Sequence, residues 1–591
     1  MKKTLYTILS VILLGGATAC NVTDLDPNNK YDSAFGFKDQ TNVELYLNSF
    51  YPMTANFGQF GSNALGGSNA SMSDGLTDIL KYGAMVAGAG DCNLIMTVDG
   101  QQSISNNYFD AWTTCYGWIR RINEFLDGLE QNKDNFSAEQ VARFKAEALY
   151  YRGYAYFLIM RSHGIMPSKV SEGYDFGAIL HLDIKTQDAA HKNKARATVA
   201  QTWDQIQSDL KFACENLPEP ASARGRLNCY AAHAMNARAM LYAERFDKAQ
   251  ASVEAIMNSN LYGYLDNYSA IFKDLNNKEV IWGYGYAAGI LTHSFDQKYS
   301  QPGDICTNDG KGSGYAGPTQ EFVDSYDYAD GQPFDVNDAA NRYVTNDNAS
   351  ARDPRLAASI MWNGSMWKGR ALECYEGGVD QKYMPYGSVN TPGNTVTGYY
   401  IRKMMDENNL DFLVNGSYQP WIEFRYAEMM LIYAECLARD GKYADSRNVV
   451  ADLRKARFGR EDVFTQEVTD MESALDLILK ERATELCFEG HRFWDLRRTG
   501  RAAEVLNGKK YNGVLWKKNA DGTVTSGTKD DSSYSILFGE NGAGKKFKVD
   551  EEMMGEEVMM MIPQTLPFGE EDSPVLSVVY VGSDGTDKTI K

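Results

Sequence analysis

Apolar side chains recur every three or four positions over much of the first 260 residues, the spacing of one buried helix face. In 111-AWTTCYGWIRRINEFLDGL-129 the recurring set is Cys115, Trp118, Ile119, Ile122, Phe125 and Leu126. In 139-EQVARFKAEALYYRGYAYFLIM-160 it is Phe144, Ala148, Tyr151, Ala155 and Leu158. In 198-TVAQTWDQIQSDLKFACENLP-218, Thr198 is placed as an N-cap and Pro218 as a stop. A repeat follows. Ala237, Phe246, Ala249, Val253 and Ile256 return as Ala434, Tyr443, Ser446, Val450 and Leu453, always 197 residues later. This is the spacing of a tetratricopeptide-like hairpin: a small residue where two helices touch, an aromatic at the turn, then a small residue and apolars on the second helix. Gly441 falls where that turn needs a flexible backbone. Helical hairpins bury their faces only by stacking, so further copies are expected within 41–160.

The pattern changes at about 263. From there to about 420, Gly, Asn, Asp and Tyr dominate, as in 282-WGYGYAAGILTHSFDQKYSQPGDICTNDGKGSGYAGP-318, with short β-like pieces such as 397-TGYYIRKMM-405. The segment 506–591 is similarly irregular, with Gly-rich turns. The expected architecture is mainly α. A helical-hairpin superhelix occupies 41–262 and 421–505, with a large irregular insertion at 263–420. Long ordered loops on a helical scaffold commonly carry function.

The N-terminus reads as an export signal at 1–19. Lys2 and Lys3 precede the apolar run 5-LYTILSVILL-14, which is too short to span a bilayer, and 15-GGATAC-20 follows. Ala17 and Ala19 fit an ordinary cleavage site. Cys20 after a small residue fits a lipoprotein signal, although Ala17 stands where such signals carry Leu. The lipoprotein reading is preferred, with Cys20 lipidated and 20–40 a flexible tether.

Across its 591 residues the chain has net charge −19. It offers no basic footprint for nucleic acid. Eight cysteines follow Cys20 without a C-x-x-C, so no zinc or redox motif stands out. Cys214, Cys436 and Cys487 lie in helical patterns and read as small buried hydrophobes. The six histidines show no metal-binding spacing, and no cofactor is expected. 539-GENGAGKK-546 resembles a phosphate loop, but Lys546 replaces the magnesium-holding Ser/Thr and no periodic helix follows.

The stretch 485-ELCFEGHRFWDLRRTG-500 raises the question of catalysis, since Cys487, Glu489, His491 and Asp495 stand among arginines. The helical stripe Leu475, Ile478, Leu479, Arg482 and Leu486 precedes it. Gly490 is placed as that helix's C-cap, and 491–498 as a short second helix closed by Gly500. Phe493, Trp494 and Leu496 would then pack back on the superhelix. Glu481, Glu485, Glu489 and Asp495 would pair with Arg482, Arg492, Arg497 and Arg498. The cluster reads as a cross-linked turn, and no catalytic residue is assigned.

Segment 481-ERATELCFEGHRFWDLRRTG-500 resembles the most characteristic motif of the SusD/RagB family of outer-surface lipoproteins. Further similar segments fall in the family's order: 146-AEALYYRGYAYFLIMRSHGIMP-167, 196-RATVAQTWDQIQSDLKFACENLP-218, 225-GRLNCYAAHAMNARAMLYAERFDKA-249, 352-RDPRL-356, 398-GYYIRKMMD-406 and 425-RYAEMMLIYAECLARDG-441. The resemblance spans about 20–505. Beyond 562-IPQ-564, near which family members tend to end, a polar stretch continues to Lys591. The shared motifs read as scaffold: Asp353 and Pro354 as N-cap and first helical residue, and Arg152, Arg425, Glu428 and Glu435 as helix-pairing charges.

The resemblance implies a cell-surface, lipid-anchored, glycan-binding protein of the outer membrane. It would not be an enzyme, and it would pass oligosaccharide to a SusC-like TonB-dependent transporter. Two alternatives are a peptide-binding RagB-like uptake protein and, less favoured, a glycoside hydrolase. The family's ligand contacts lie in variable loops, so candidates come from composition instead: Trp362, Trp367, Tyr284, Tyr286, Tyr315 and Tyr82 as stacking rings, with Asn69, Asp78 and Asn308 for hydroxyl contacts. They are expected where loop 57–95 meets 282–318 and 362–367. Trp282 reads as core.

Overall fold

The structure is a computed structural model. It describes residues 36–58, 72–82, 111–184, 195–220, 225–304, 312–380 except 339 and 376, 397–506 and 510–529. It also describes the backbone of four later strand segments at 536–537, 561–563, 576–581 and 587–590.

The longer helices of the described residues are α1 (Gln40–Asn48), α2 (Trp112–Gln131), α3 (Ala138–His163), α4 (Val199–Asn216), α5 (Cys229–Tyr242), α6 (Phe246–Asn258), α7 (Tyr426–Arg439), α8 (Tyr443–Phe458) and α9 (Met471–Glu485). From α2 to α9 each packs on its successor except that α9 also returns to α7. The array is continuous across the sequence break: α6 packs directly on α7, and residues 259–425 loop out between them. This is the expected tetratricopeptide-like superhelix.

Capping explains the starts. Ser137 and Thr198 each form a capping box, with Gln140 and Gln201 respectively, and Asp470 does so with Ser473. The two repeat units superimpose in role. Ala237 and Ala434 are fully buried where helices touch, and Val253, Ile256, Val450 and Leu453 fill the second helix face. Phe246 and Tyr443 sit half-buried at the turn. Gly441 takes φ 74°, and its counterpart 197 residues earlier, Glu244, takes φ 55°. The turn geometry is therefore kept even where a side chain makes the left-handed conformation costly.

The insertion has its own core. Leu80–Tyr82 (β1) pairs antiparallel with Ala316–Pro318 (β3), and Val280–Tyr284 (β2) with Trp421–Arg425 (β4). Residues 72–82 thus leave the helical array to join the insertion. Around these pairs Phe295, Tyr299, Phe322, Tyr326, Trp362, Trp367, Tyr399 and Tyr400 form one buried cluster. In the C-terminal part 513–518 pairs with 524–529 around Gly522, φ 88°, so this expected irregular stretch contains an ordered hairpin.

The charged stretch 485–500 proves to be part of a clamp between the insertion and the helical array. Arg425 contacts Glu279, Glu485 and Glu489; Arg457 contacts Glu279 and Glu485; Arg355 contacts Asp353, Glu481 and Glu485. Arg454 joins Asp327 to Glu481, and Lys403 reaches Glu489. Burial by itself would raise the Glu485 carboxyl, but the guanidiniums of Arg457, Arg425 and Arg355 outweigh it and hold the group well below the usual range. The pairing differs from the sequence expectation. Only Arg482 and Arg498 meet Asp495; Arg492 pairs with Asp78, and Arg497 donates to the Arg161 carbonyl. The helix-pairing arginine Arg152 meets Asp209, while Glu428 meets Arg238 and Glu435 meets Arg498. Asp353 caps the helix Pro354–Ser359 as expected. Gly490 is not the cap of α9, which stops at Glu485; it closes a turn in which Phe488, fully buried, is also held at φ 64°.

Candidate ligand-binding surface

β2 carries the chain out of the scaffold. Its last residue, Tyr284, is the partner of Trp421 in β4, and beyond it the backbone is no longer shielded. Tyr284 and Tyr286 are half-buried, and their rings meet edge to face with centroids 5.3 Å apart. The chain then turns through a hairpin bridged between Ala287 and Leu291, with Gly289 at φ 71°, and returns to bridge His293 to Ser417. The His293 ring packs edge-on against Tyr286, at 4.6 Å. Its Nδ1 accepts from the Phe295 N–H (3.3 Å), so Nε2 is the protonated nitrogen and donates to the Gln419 carbonyl (3.1 Å). Burial, opposed only in part by that bond, lowers its pKa to about 4. The imidazole is thus a neutral brace behind Tyr286.

Asp296 ties the same region together from below. Its carboxylate accepts from the Asp406 N–H at 3.0 Å and from the Gln419 amide at 3.3 Å. Burial raises its pKa to about 6, with Asp406 adding to the effect. Tyr418, partly exposed, lies within the electrostatic reach of both acids. Ile290, Leu291, Leu410 and Val414 are exposed around this hairpin and the adjoining 410–417 segment. The result is a rim of aromatic and aliphatic faces beside polar backbone, suited to the C–H faces of a neutral ligand.

The sequence candidates divide. Tyr284 and Tyr286 come together. Tyr315 is half-buried, and its N–H donates to Lys298 in the short helix Phe295–Tyr299 that follows His293. The backbone of Tyr82 pairs with Ala316, so 78–82 and 315–318 do meet. Asp78 is occupied as an ion-pair partner of Arg492 at 2.7 Å. Trp362 and Trp367 correct the expectation of exposed rings: they are 4% and 1% accessible. Their Nε1–H groups donate to Asn346 (3.1 Å), an exposed residue, and to the buried Asp304 (3.2 Å), so the Trp367 edge faces inward and the Trp362 edge faces the surface. Asn69, Asn308 and Cys20 lie outside the described residues. Sequence reasoning missed His293 and Tyr418. The turn 415-NGSYQP-420 held the signal for Tyr418, since Gly416 at φ 67° lets the segment fold against the hairpin.

Among the described residues no group of three or more His, Cys, Asp or Glu could hold a metal, and no helix is long and apolar enough to cross a membrane.

Residues 278–537 match the model of the SusD family, and residues 43–241 match a model described as starch-binding and associating with the outer membrane. A curated relative, SusD-like protein P38 of Formosa agariphila, is 25% identical over 71% of this chain and 79% of its own. Among solved structures, a SusD-like carbohydrate binding protein from Bacteroides fragilis aligns with TM-score 0.65 at 22% identity, over 90% of this chain and 97% of that one. A laminarin-binding SusD-like protein aligns with TM-score 0.57 at 21% identity, over 79% and 93%. At these identities the structural likeness establishes the fold.

Proposed function

Because this chain belongs to the SusD/RagB family, we propose that it is a glycan-binding protein of the outer membrane, a binder rather than an enzyme. The observation that carries the reading is the Tyr284–Tyr286 pair, braced by His293 at the point where the insertion leaves the scaffold. Two half-buried rings set edge to face offer apolar surface of fixed orientation to the C–H face of a pyranose. The names of the Bacteroides fragilis carbohydrate binder and the laminarin binder support a glycan as the ligand class. Glu485, Glu489 and Asp495 of 485–500 are engaged in buried ion pairs and Cys487 is buried, which supports binding without turnover.

Delivery of the glycan to a SusC-like TonB-dependent transporter, and surface anchoring through a lipid on Cys20, complete the proposal. The first rests on family membership and the second on the sequence around Cys20. Titrating the intact protein against a panel of oligosaccharides and peptides, with reducing ends assayed in parallel, tests it. Glycan binding without new reducing ends is expected. Peptide binding alone would favour the RagB-like reading, and reducing-end release would overturn the assignment.

A further inference from the structure

A cavity of about 40 Å³ lies at the joint between the scaffold and the C-terminal clamp, apart from the tyrosine rim. It is lined from α3 by Tyr154, Phe157 and Arg161, from α5 by Arg238 and Tyr242, and from the clamp by Glu489, His491 and Trp494. That volume suits about three water-sized occupants, at ~10–15 Å³ each, and excludes a sugar ring.

Arg161 is the unusual wall. Its guanidinium lies 4.3 Å from the Trp494 ring centroid, and its Nε is buried without a hydrogen-bond partner among the described residues. No described carboxylate forms an ion pair with it. A part-buried guanidinium without a counter-charge is costly, and its one buried, unpaired N–H adds to the cost.

The two acids that share the wall are already neutralised. Glu423 accepts from Arg238 at 2.5 Å and from the Trp421 indole at 2.8 Å. Glu489 accepts from Lys403 and Arg425, each at 2.6 Å. His491 is held neutral, first by burial and then by the field of Arg238, Arg482, Arg425 and Lys403. The cavity is therefore a polar chamber whose other charged walls are already paired, while the Arg161 guanidinium on its wall has no ion-pair partner among the described residues.

We propose that this chamber is a binding site for a small monatomic anion of the halide class, which neutralises Arg161 and pins α3 to the clamp. The site would act on stability and leave glycan recognition alone.

Bromide is the probe. Crystals of the intact protein grown or soaked in bromide should give an anomalous peak in the chamber within hydrogen-bond reach of Arg161. In solution, chloride or bromide should raise the melting temperature saturably, by about 1–2 °C relative to gluconate at equal ionic strength. Arg161→Met should abolish that halide dependence and Arg161→Lys should retain part of it. Water alone, or a protein carboxylate, in the chamber of the bromide crystals would overturn the proposal. So would a halide response unchanged in Arg161→Met. The crystal measurement needs no variant, so a poorly folding Arg161→Met leaves the test intact.

Discussion

Arg425 grips Glu489 with two nitrogens, Nε to Oε2 at 2.7 Å and Nη2 to Oε1 at 2.6 Å, and both side chains are buried. The two residues are 64 positions apart, one ending β4 and the other in the turn after α9. With Glu279 and Glu485 on the same guanidinium, Arg425 joins the insertion, the repeat array and the turn at a single point.

Removing one partner should therefore cost far more than a surface pair. Glu485→Gln leaves Arg425, Arg457 and Arg355 short of a shared anion, and a loss of about 3–5 kcal/mol is expected. Urea unfolding of the variant measures it. A change below about 1 kcal/mol, the size of an exposed pair, would show that the clamp is dispensable.

The two tryptophans provide a sharp contrast with the rim. Trp362→Ala or Trp367→Ala should destabilise the protein by about 3–5 kcal/mol, because each empties a core site. Tyr284→Ala should leave the melting temperature nearly unchanged, since that ring is only half-buried. Thermal unfolding of the three variants side by side reads this out, and the reverse ordering would mean that core and rim have been exchanged.

Asp296 makes a pH prediction with a definite sign. Its folded pKa of about 6 lies above the ordinary carboxylate value, so its contribution is fully present below about 4 and is lost as pH rises through 6. A shift of this size is on the order of 3 kcal/mol at most. Asp296→Asn should thus gain stability relative to the parent between pH 4 and 7. His293, with a folded pKa of about 4, acts oppositely: its contribution is present above 6.5 and lost as pH falls toward 4. Denaturation at several pH values separates the two, and a parallel pH profile for Asp296→Asn and parent would contradict the assignment.

On the proposal that Cys20 carries the lipid, replacing it with Ala should move the protein from the membrane to the soluble fraction. Fractionation of cells expressing the variant checks this; an unchanged membrane fraction would point to another anchor.

The helical array was legible because its signal is local. Ala237 and Ala434 and the apolar residues after them repeat within a hairpin, and each position is decided by neighbours three or four residues away. The clamp was legible as scaffold but not in its pairing. Arg492 finds Asp78 across 414 residues, which no local spacing records. The candidate site was legible in part for the same reason. Tyr284 and Tyr286 lie two apart at the end of one strand, whereas their brace His293 and neighbour Tyr418 arrive through long-range bridges. Trp362 and Trp367 misled because Gly- and Asn-rich surroundings suggest exposure. In fact the rings insert, Trp362 keeping its indole N–H on the exposed Asn346 and Trp367 on the buried Asp304.

The central claim is that Tyr284 and Tyr286 form a glycan-stacking surface on a protein that performs no hydrolysis. Calorimetric titration of the best oligosaccharide ligand into the parent and into the Tyr284→Ala/Tyr286→Ala double variant tests it most directly. The account predicts tight binding by the parent without reducing-end release, and a loss of affinity of tenfold or more, about 1.4 kcal/mol upward, in a variant that remains folded. Full glycan affinity in the folded double variant would contradict it.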